Sequence, residues 1–470
     1  VDYYRPRQGN SQFLVSKTAI LVAKTSFQGD QSASDRVPLR RNGVIWRYVM
    51  IRIALLIANS LILVGCASKP IAKNHIIFVV DGMGHAHITG ARMYKGGPEA
   101  RLELEKMPYT GIVRTYSTDD FATDSAASAT ALASGTRTYN GAIGVSDAKK
   151  DSTGQSQPLL TILKRAQQAG KAVGLVTTTR ITHATPAAYY AHAAHRDLEE
   201  SIAGQLVASD IDVIIGGGKR FFVGRGEGGS RQDGKNLLNE FTQKGYRVVK
   251  TSEEFKSLPV KPEGRLIALL EEDHLPYDLD RRDQPSIEEL VDYAIRHLSQ
   301  DPDGYFLLVE AGRVDHASHA NLARHTFGEM LAFDRALGRT LSESERDTLI
   351  LVTGDHETGG LALNGYAPHE VASGERLLQN HSRDPKSPAK KQGLISWASG
   401  PGFTSPSAVN DKDKNFKHKA AYDAPSAYHT AVDVPVIARG PGAEKFTGFI
   451  NNNDLVHKVI EIMKLEPIRR

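Results

Sequence analysis

The stretch "HIIFVVDGMGH", residues 75–85, decides how this chain is read. Ile76 to Val80 are apolar without a polar residue at every second position, the pattern of a strand buried on both faces, which belongs in a sheet covered by helices on either side. Asp81 then follows directly, between a core strand and a Gly-Met-Gly turn that leaves its carboxylate at the sheet edge. Moving outward, the same continuous runs recur as "AVGLVTT" (172–178), "DVIIGG" (212–217), "YFLLVE" (305–310), "TLILVTG" (348–354) and "VPVIARG" (434–440). Longer segments of helical character separate them. The alternation predicts an α/β fold: a large, mostly parallel central sheet flanked by helices. Residues 365–428 depart from it, with "RDPKSPAKKQG" and "ASGPGFTSPS", and read as a loop-rich insertion; a smaller Gly-rich loop, "GRGEGGSRQDGKN", spans 224–236.

In such sheets chemistry gathers beyond the carboxyl ends of the strands, so the polar residues that follow each run are the candidates. They are Asp81; Glu310 with Asp315, His316 and His319 in "VEAGRVDHASH"; Asp355 and His356 in "TGDHETGG"; and His429 in "SAYHTAVD". Taken singly, each reads as a turn residue or a satisfied imidazole. Together on one sheet edge they call for cations, because clustered buried carboxylates repel one another. The Asp and His mixture suits zinc, and a carboxylate with hydroxyl ligands suits magnesium.

"TDSAASATALASG" (123–135) adds a helix of small residues that begins at Asp124 and Ser125 and ends at Gly135. Asp124 has the chemistry of an N-cap. Ser125 would sit at the positive end of the helix, where an anion and an alkoxide are both stabilised.

The chain has 470 residues, a formal charge of +4 and a pI near 8.8, but the basic excess is local. Residues 1–66 hold nine of the 58 Lys and Arg and three of the 54 Asp and Glu, leaving a net of about −2 beyond them. The remaining Lys-rich pieces are mixed with polar loop residues, which gives no footprint for nucleic acid. Residues 50–66, "MIRIALLIANSLILVGC", follow the order charged, apolar, small, with an apolar run too short to span a bilayer comfortably, and read as a secretory signal. "LVGC" (63–66) resembles a bacterial lipobox, with lipid attached to Cys66, the only cysteine; Ala67 after it resembles the outer-membrane sorting class. The expectation is an exported, lipid-anchored periplasmic or surface protein, with Met50 as the natural start and residues 1–49 as upstream translation outside the fold.

From residue 74 to 465 the chain resembles the alkaline phosphatase family, carried by "VVDGMG", "TDSAASATALASGTRT", "THATPAAYYAHAAHR", "VEAGRVDHASH", "TGDHETGG" and "YHTAVDVPVIARGPGA" in that order. The resemblance implies a catalytic domain over 67–470 that hydrolyses phosphate monoesters with two Zn2+ and one Mg2+ per chain, in a homodimer. It implies Ser125 as the nucleophile that becomes phosphorylated, and Arg196 as the grip on phosphate, with Asp124 as its partner rather than a plain N-cap. One zinc would take Asp315, His319 and His429; the second would take Asp81, Asp355 and His356; magnesium would take Asp81, Thr185 and Glu310. His183 and His316 stand where some bacterial members have Asp and Lys. His183 bears on the third metal, and His316 on phosphate or water. Ser128 and Ser134 are expected to serve only packing or local hydrogen bonding. Two alternatives stay open: another two-metal phosphoesterase of the same superfamily, such as a diesterase, and a metal-binding surface lipoprotein without turnover.

Overall fold

β1 (Asn74–Val79) is buried at all six positions, as continuous apolarity predicts. The computed structural model describes residues 72–149, 154–259, 261, 263–365, 373–382, 391–404 and 413–465. The upstream segment, the signal-like stretch 50–66 and Cys66 lie outside the described residues, and the insertion is described in part.

The other strands of the central sheet are β2 (Tyr109–Arg114), β3 (Ala172–Arg180), β4 (Val213–Gly217), β5 (Tyr246–Val249), β6 (Arg265–Leu269), β7 (Tyr305–Glu310), β8 (Thr348–Thr353), Val434–Arg439 and Gly448–Asn451. Their order across the ten-stranded sheet is Gly448–Asn451, β2, Val434–Arg439, β8, β1, β7, β3, β4, β6, β5. Ile76 and Phe78 point into one apolar layer with Leu307, Val309 and Ile350, under helices Ile287–Leu298 and Ala323–Glu343. Ile77 and Val79 point into the other with Leu175, Leu308 and Leu351, under helices Ser125–Ser134 and Asn452–Met463. Two covered faces explain why these strands lack alternation.

Register places the candidate residues. Val79 of β1 lies beside Glu310 of β7 on one side and Thr353 of β8 on the other, so Asp81, Glu310 and Asp355 leave the sheet at the same edge. Val434–Arg439 runs antiparallel to both neighbours. The run "VPVIARG" does not reveal this, since an apolar strand reads alike in either direction. The reason is connection length: His429 sits at the carboxyl edge, and a strand that starts five residues later must run away from it.

Among the described residues, the insertion carries short strands rather than bare loop. Ile395–Gly400 and Ala420–Asp423 form a three-stranded sheet with Ala362–Leu363, which lies just before the insertion. Trp397, Ile395, Leu377 and Phe327 make a separate apolar cluster that ties the insertion to helix Ala323–Glu343. The loop 224–236 is held to the body by Arg231, whose guanidinium donates to the carbonyls of Glu200 (2.8 Å) and Phe221 (3.1 Å).

Candidate metal centre and nucleophile

The turn after β1 needs its glycines. Gly82 has φ +80°, and a Cβ there would come within 2.8 Å of Asp315 Cα. With no side chain in the way, the backbone of the turn reaches the loops after β7 and β8, and the Gly82 amide donates to Asp355 Oδ1 at 3.1 Å.

Among the described residues, the candidate ligands other than Asp81 and Thr185 are each anchored on one side-chain atom and free on the other. Asp355 Oδ1 also accepts from the His356 amide (3.0 Å), and Asp355 Oδ2 has no hydrogen-bond partner among the described residues. Glu310 Oε2 accepts from the hydroxyls of Thr177 and Thr179, the latter at 2.7 Å, while Oε1 has none. His429 Nδ1–H donates to the Thr123 carbonyl (3.0 Å), and His319 Nδ1–H to the Ala427 carbonyl (2.5 Å), which leaves both Nε2 lone pairs free for a ligand. His356 Nδ1–H donates to Thr358 Oγ1 (3.2 Å), and that hydroxyl donates to Asp315 Oδ1 (2.5 Å). Both Asp81 oxygens, His183 Nδ1 and Thr185 Oγ1 are buried without a hydrogen-bond partner among the described residues.

The free atoms converge. Asp315 Oδ2 is 3.2 Å from His319 Nε2, which is 3.1 Å from His429 Nε2. His356 Nε2 is 3.2 Å from Asp355 Oδ2 and 3.5 Å from Asp81 Oδ1. Asp81, His183 and Glu310 offer a third set whose ligand atoms lie within 4.8 Å of one another, and Asp315, His356 and His429 bridge the first two within the same limit. Buried groups left unpaired are costly, and second atoms held by outer partners are the usual architecture of a metal site. The donor set fits bound cations.

Electrostatics agrees. Burial, then the carboxylates of Asp355, Asp315 and Glu310, push the Asp81 carboxyl well above the usual range. Burial raises Asp355 to about 7. Burial also favours the neutral form of Asp315, but His319, His429 and His356 outweigh it and hold that carboxyl low. Burial lowers His356 and His429, keeping their imidazoles neutral, as ligation requires, whereas at His319 burial is outweighed by Asp315, which raises that ring to about 8, so it gives up its Nε2 proton when it takes a cation.

Ser125 begins its helix beside this cluster, 2% exposed, with Oγ 3.1 Å from His356 Nε2. Asp124 does two jobs where one was expected. It is a true N-cap, with Oδ1 accepting from the Ala127 amide (2.9 Å), while Oδ2 pairs with Arg196 Nη1 (3.0 Å). Ser128 also departs from a purely local role, donating to the Asp355 carbonyl at 2.7 Å; Ser134 stays local, bonded to the Thr130 carbonyl. Arg196 Nη2 donates to His183 Nε2 at 3.1 Å, which puts the ring hydrogen on Nδ1, so in this tautomer His183 stands beside the third set rather than in it as a ligand. His316 stands apart from the ligand sets: its Nδ1 accepts from Arg313 (2.7 Å), and its ring packs on His183 and His274 at centroid distances of 5.4 and 4.4 Å.

Sequence reasoning missed Thr358, which joins the two ligand sets, Thr177 and Thr179, which orient Glu310, and His274, which Arg180 holds against His183 and His316. Thr358 lies inside "TGDHETGG" and was open to notice; the others carry no local signal.

Comparison with known proteins agrees with this geometry. The alkaline phosphatase family model matches residues 72–465. The alkaline phosphatase of Gadus morhua is 34% identical over 442 residues, covering 83% of this chain and 91% of that protein. The tissue-nonspecific isozyme of Gallus gallus is 35% identical over 453 residues, covering 86% of each. Among solved structures, the Thermus thermophilus alkaline phosphatase aligns with a TM-score of 0.68 at 29% identity, over 85% of this chain and 93% of that one. A variant of the Antarctic bacterium TAB5 enzyme, with Mg bound in its M3 site, gives 0.66 at 27% identity over 85% and 100%. With a family match that spans nearly all of the described fold and relatives a third identical across most of their length, the chain belongs to the alkaline phosphatase family, the metal-dependent phosphomonoesterases.

Proposed function

We propose that this protein hydrolyses phosphate monoesters through a phosphoserine at Ser125, with two zinc ions and one magnesium ion as cofactors. The observation that carries the reading is Ser125 Oγ within 3.1 Å of His356 Nε2, at a helix N-terminus and beside a buried set of unpartnered carboxylate oxygens. Asp315, His319 and His429 would hold one zinc; Asp81, Asp355 and His356 the other; Asp81, Glu310 and Thr185 the magnesium, with His183 beside it. Bound there, the cations supply charge neutralisation for the phosphate and lower the pKa of a hydroxyl or water.

The chain's own groups do the positioning. Ser125 Oγ attacks phosphorus as its proton is lost to solvent, the bond to the ester oxygen breaks, and the electron pair leaves with the alkoxide, which takes a proton from solvent to become the alcohol. The free amides at the start of helix Ser125–Ser134 favour the developing negative charge. Arg196 presents a planar fork to two non-bridging oxygens, and Asp124 fixes its angle. Water then attacks the phosphoserine from the side the alcohol left, which releases phosphate with net retention at phosphorus. Because the transition state is loose, positioning and charge carry most of the catalysis.

Export, anchoring through Cys66 and a homodimeric state complete the proposal; the order charged, apolar, small in residues 50–66 supports the first two. Fatty-acid labelling of the protein and of Cys66→Ser in cells tests the anchor. The decisive assay is hydrolysis of a chromogenic phosphate monoester at alkaline pH by the zinc- and magnesium-loaded protein, beside Ser125→Ala, a chelated sample, and the diester and sulfate ester of the same phenol. Monoester turnover that collapses in both controls supports the reading. Preference for the diester, or no turnover in folded, metallated protein, overturns it.

A further inference from the structure

We infer that Glu357 is a positioning residue that sets the spacing between the two zinc ligand sets; this rests on the metal-dependent reading above. Glu357 follows His356 directly, yet its side chain turns away from the ligands and is buried. Its Oε1 accepts from the Leu361 amide (3.1 Å), and its Oε2 from the Gly360 amide (3.1 Å) and the Thr430 hydroxyl (2.5 Å). Thr430 follows His429. The two dipeptides pair as a short antiparallel ladder, Glu357 opposite Thr430 and Thr358 opposite His429.

One carboxylate therefore clamps the loop that carries His356 to the loop that carries His429, residues of different ligand sets. The remaining side of the Glu357 stem is filled by the first turn: a Cβ on Gly84 would come within 2.3 Å of Glu357 Cγ. The second glycine of "DGMG" is thus required by Glu357, which locks the Asp81 turn to the same clamp. The imidazole rings of His356 and His429 lie 3.5 Å apart and nearly parallel, so a small shift of either loop changes how both present Nε2. A carboxylate satisfied by two amides and a hydroxyl is rigid; partners that hydrogen-bond a ligand directly typically change metal affinity by about 10- to 100-fold, and Glu357 acts one step further out, through the backbone of both ligand loops, so the lower end of that range is expected.

The test uses the full chain. Glu357→Ala, Glu357→Gln, Thr430→Val and the double variant Glu357→Gln/Thr430→Val are loaded with zinc and magnesium, and zinc release to a chelator is timed. The visible spectrum of the cobalt-loaded forms is recorded, with melting of the metal-free forms as the fold control. Glu357→Ala is expected to release zinc at least about 10-fold faster with an altered cobalt spectrum. Thr430→Val should share part of that effect, and the double variant should lose less than the two single changes combined. Zinc release within twofold of wild type in folded Glu357 variants and in Thr430→Val, with only metal-free melting lowered, makes Glu357 a packing residue and overturns the inference. If Glu357→Ala does not fold, Thr430→Val and Glu357→Gln decide it by the same readings. Wild-type protein that holds no zinc is a separate result, which removes the metal-dependent reading itself.

Discussion

Ser125 Oγ and His356 Nε2, 231 residues apart in sequence, lie 3.1 Å apart in the fold. With its Nδ1–H given to Thr358, His356 has one lone pair left, and it faces the Ser125 hydroxyl. The atom that would hold a cation is therefore within hydrogen-bond range of the proposed attacking oxygen. Ser125→Ala should lower kcat by at least about 10³-fold while zinc content stays at the wild-type level. Acid-quenched enzyme after a pulse of labelled phosphate ester should carry label in wild type and none in Ser125→Ala.

Asp124 Oδ2 and His183 Nε2 fix two nitrogens of Arg196, so in the proposed role it would act through geometry as well as charge. Arg196→Lys keeps the charge and loses the fork, so kcat/KM should fall by about 10-fold or more, with a larger fall for Arg196→Ala. Asp124→Asn keeps a capping oxygen but weakens the ion pair. It should raise KM for the ester and weaken phosphate inhibition, with thermal stability little changed. KM values equal to wild type in all three variants would sink this role.

Thr358 bridges Asp315 and His356 through one hydroxyl. Thr358→Val removes both bonds at nearly constant volume and should weaken zinc binding by about 10- to 100-fold. Competition with a zinc chelator at fixed pH measures it. Activity restored by excess zinc would show that the loss lies in binding.

Metal removal should destabilise the protein in a pH-dependent way. In the metal-free fold, burial raises Asp355 to about 7, against about 3.9 in an unfolded chain. A carboxyl raised on folding adds stability below the unfolded value and loses it as pH rises through the folded one. The gap in melting temperature between metal-loaded and chelated protein is therefore expected to widen from pH 5.5 to pH 8. A constant gap across that range would contradict it.

His75 gives a pH response away from the site. It is buried in β1 with its Nδ1–H donated to the Leu349 carbonyl (3.1 Å), and burial lowers it to about 4 despite that bond. A histidine lowered on folding adds stability above its unfolded value of about 6.5 and loses it as pH falls toward 4, a change on the order of 3 kcal/mol. Denaturant midpoints of the metal-loaded protein should fall over that window, and His75→Phe should flatten the fall.

Much of the fold was legible because burial leaves a local trace. Six continuous apolar runs gave six strands, nearly to the residue, and YFLLVE matched β7 without adjustment. Asp81, Glu310 and Asp355 were legible for the same reason: each ends or follows such a run, and parallel register brings run ends to one edge. The direction of Val434–Arg439 was not, because apolarity carries no polarity of chain direction. Nor was it legible that Asp124 keeps its cap while pairing with Arg196, since which of its two oxygens meets which partner is settled by a contact across 72 residues.

By itself, then, the sequence determined which segments are core strands, which helix carries Ser125, and which acids and imidazoles end up at the sheet edge. Those are consequences of period and burial, which depend on near neighbours in the chain. Only the tertiary structure decided which atom of each ligand is free, that Thr358 and Glu357 tie the ligand sets together, and that Thr177 and Thr179 turn Glu310 toward its partners. A hydrogen bond depends on angles and tenths of an ångström between groups that meet only when distant segments pack, and residue type and spacing do not encode that distance.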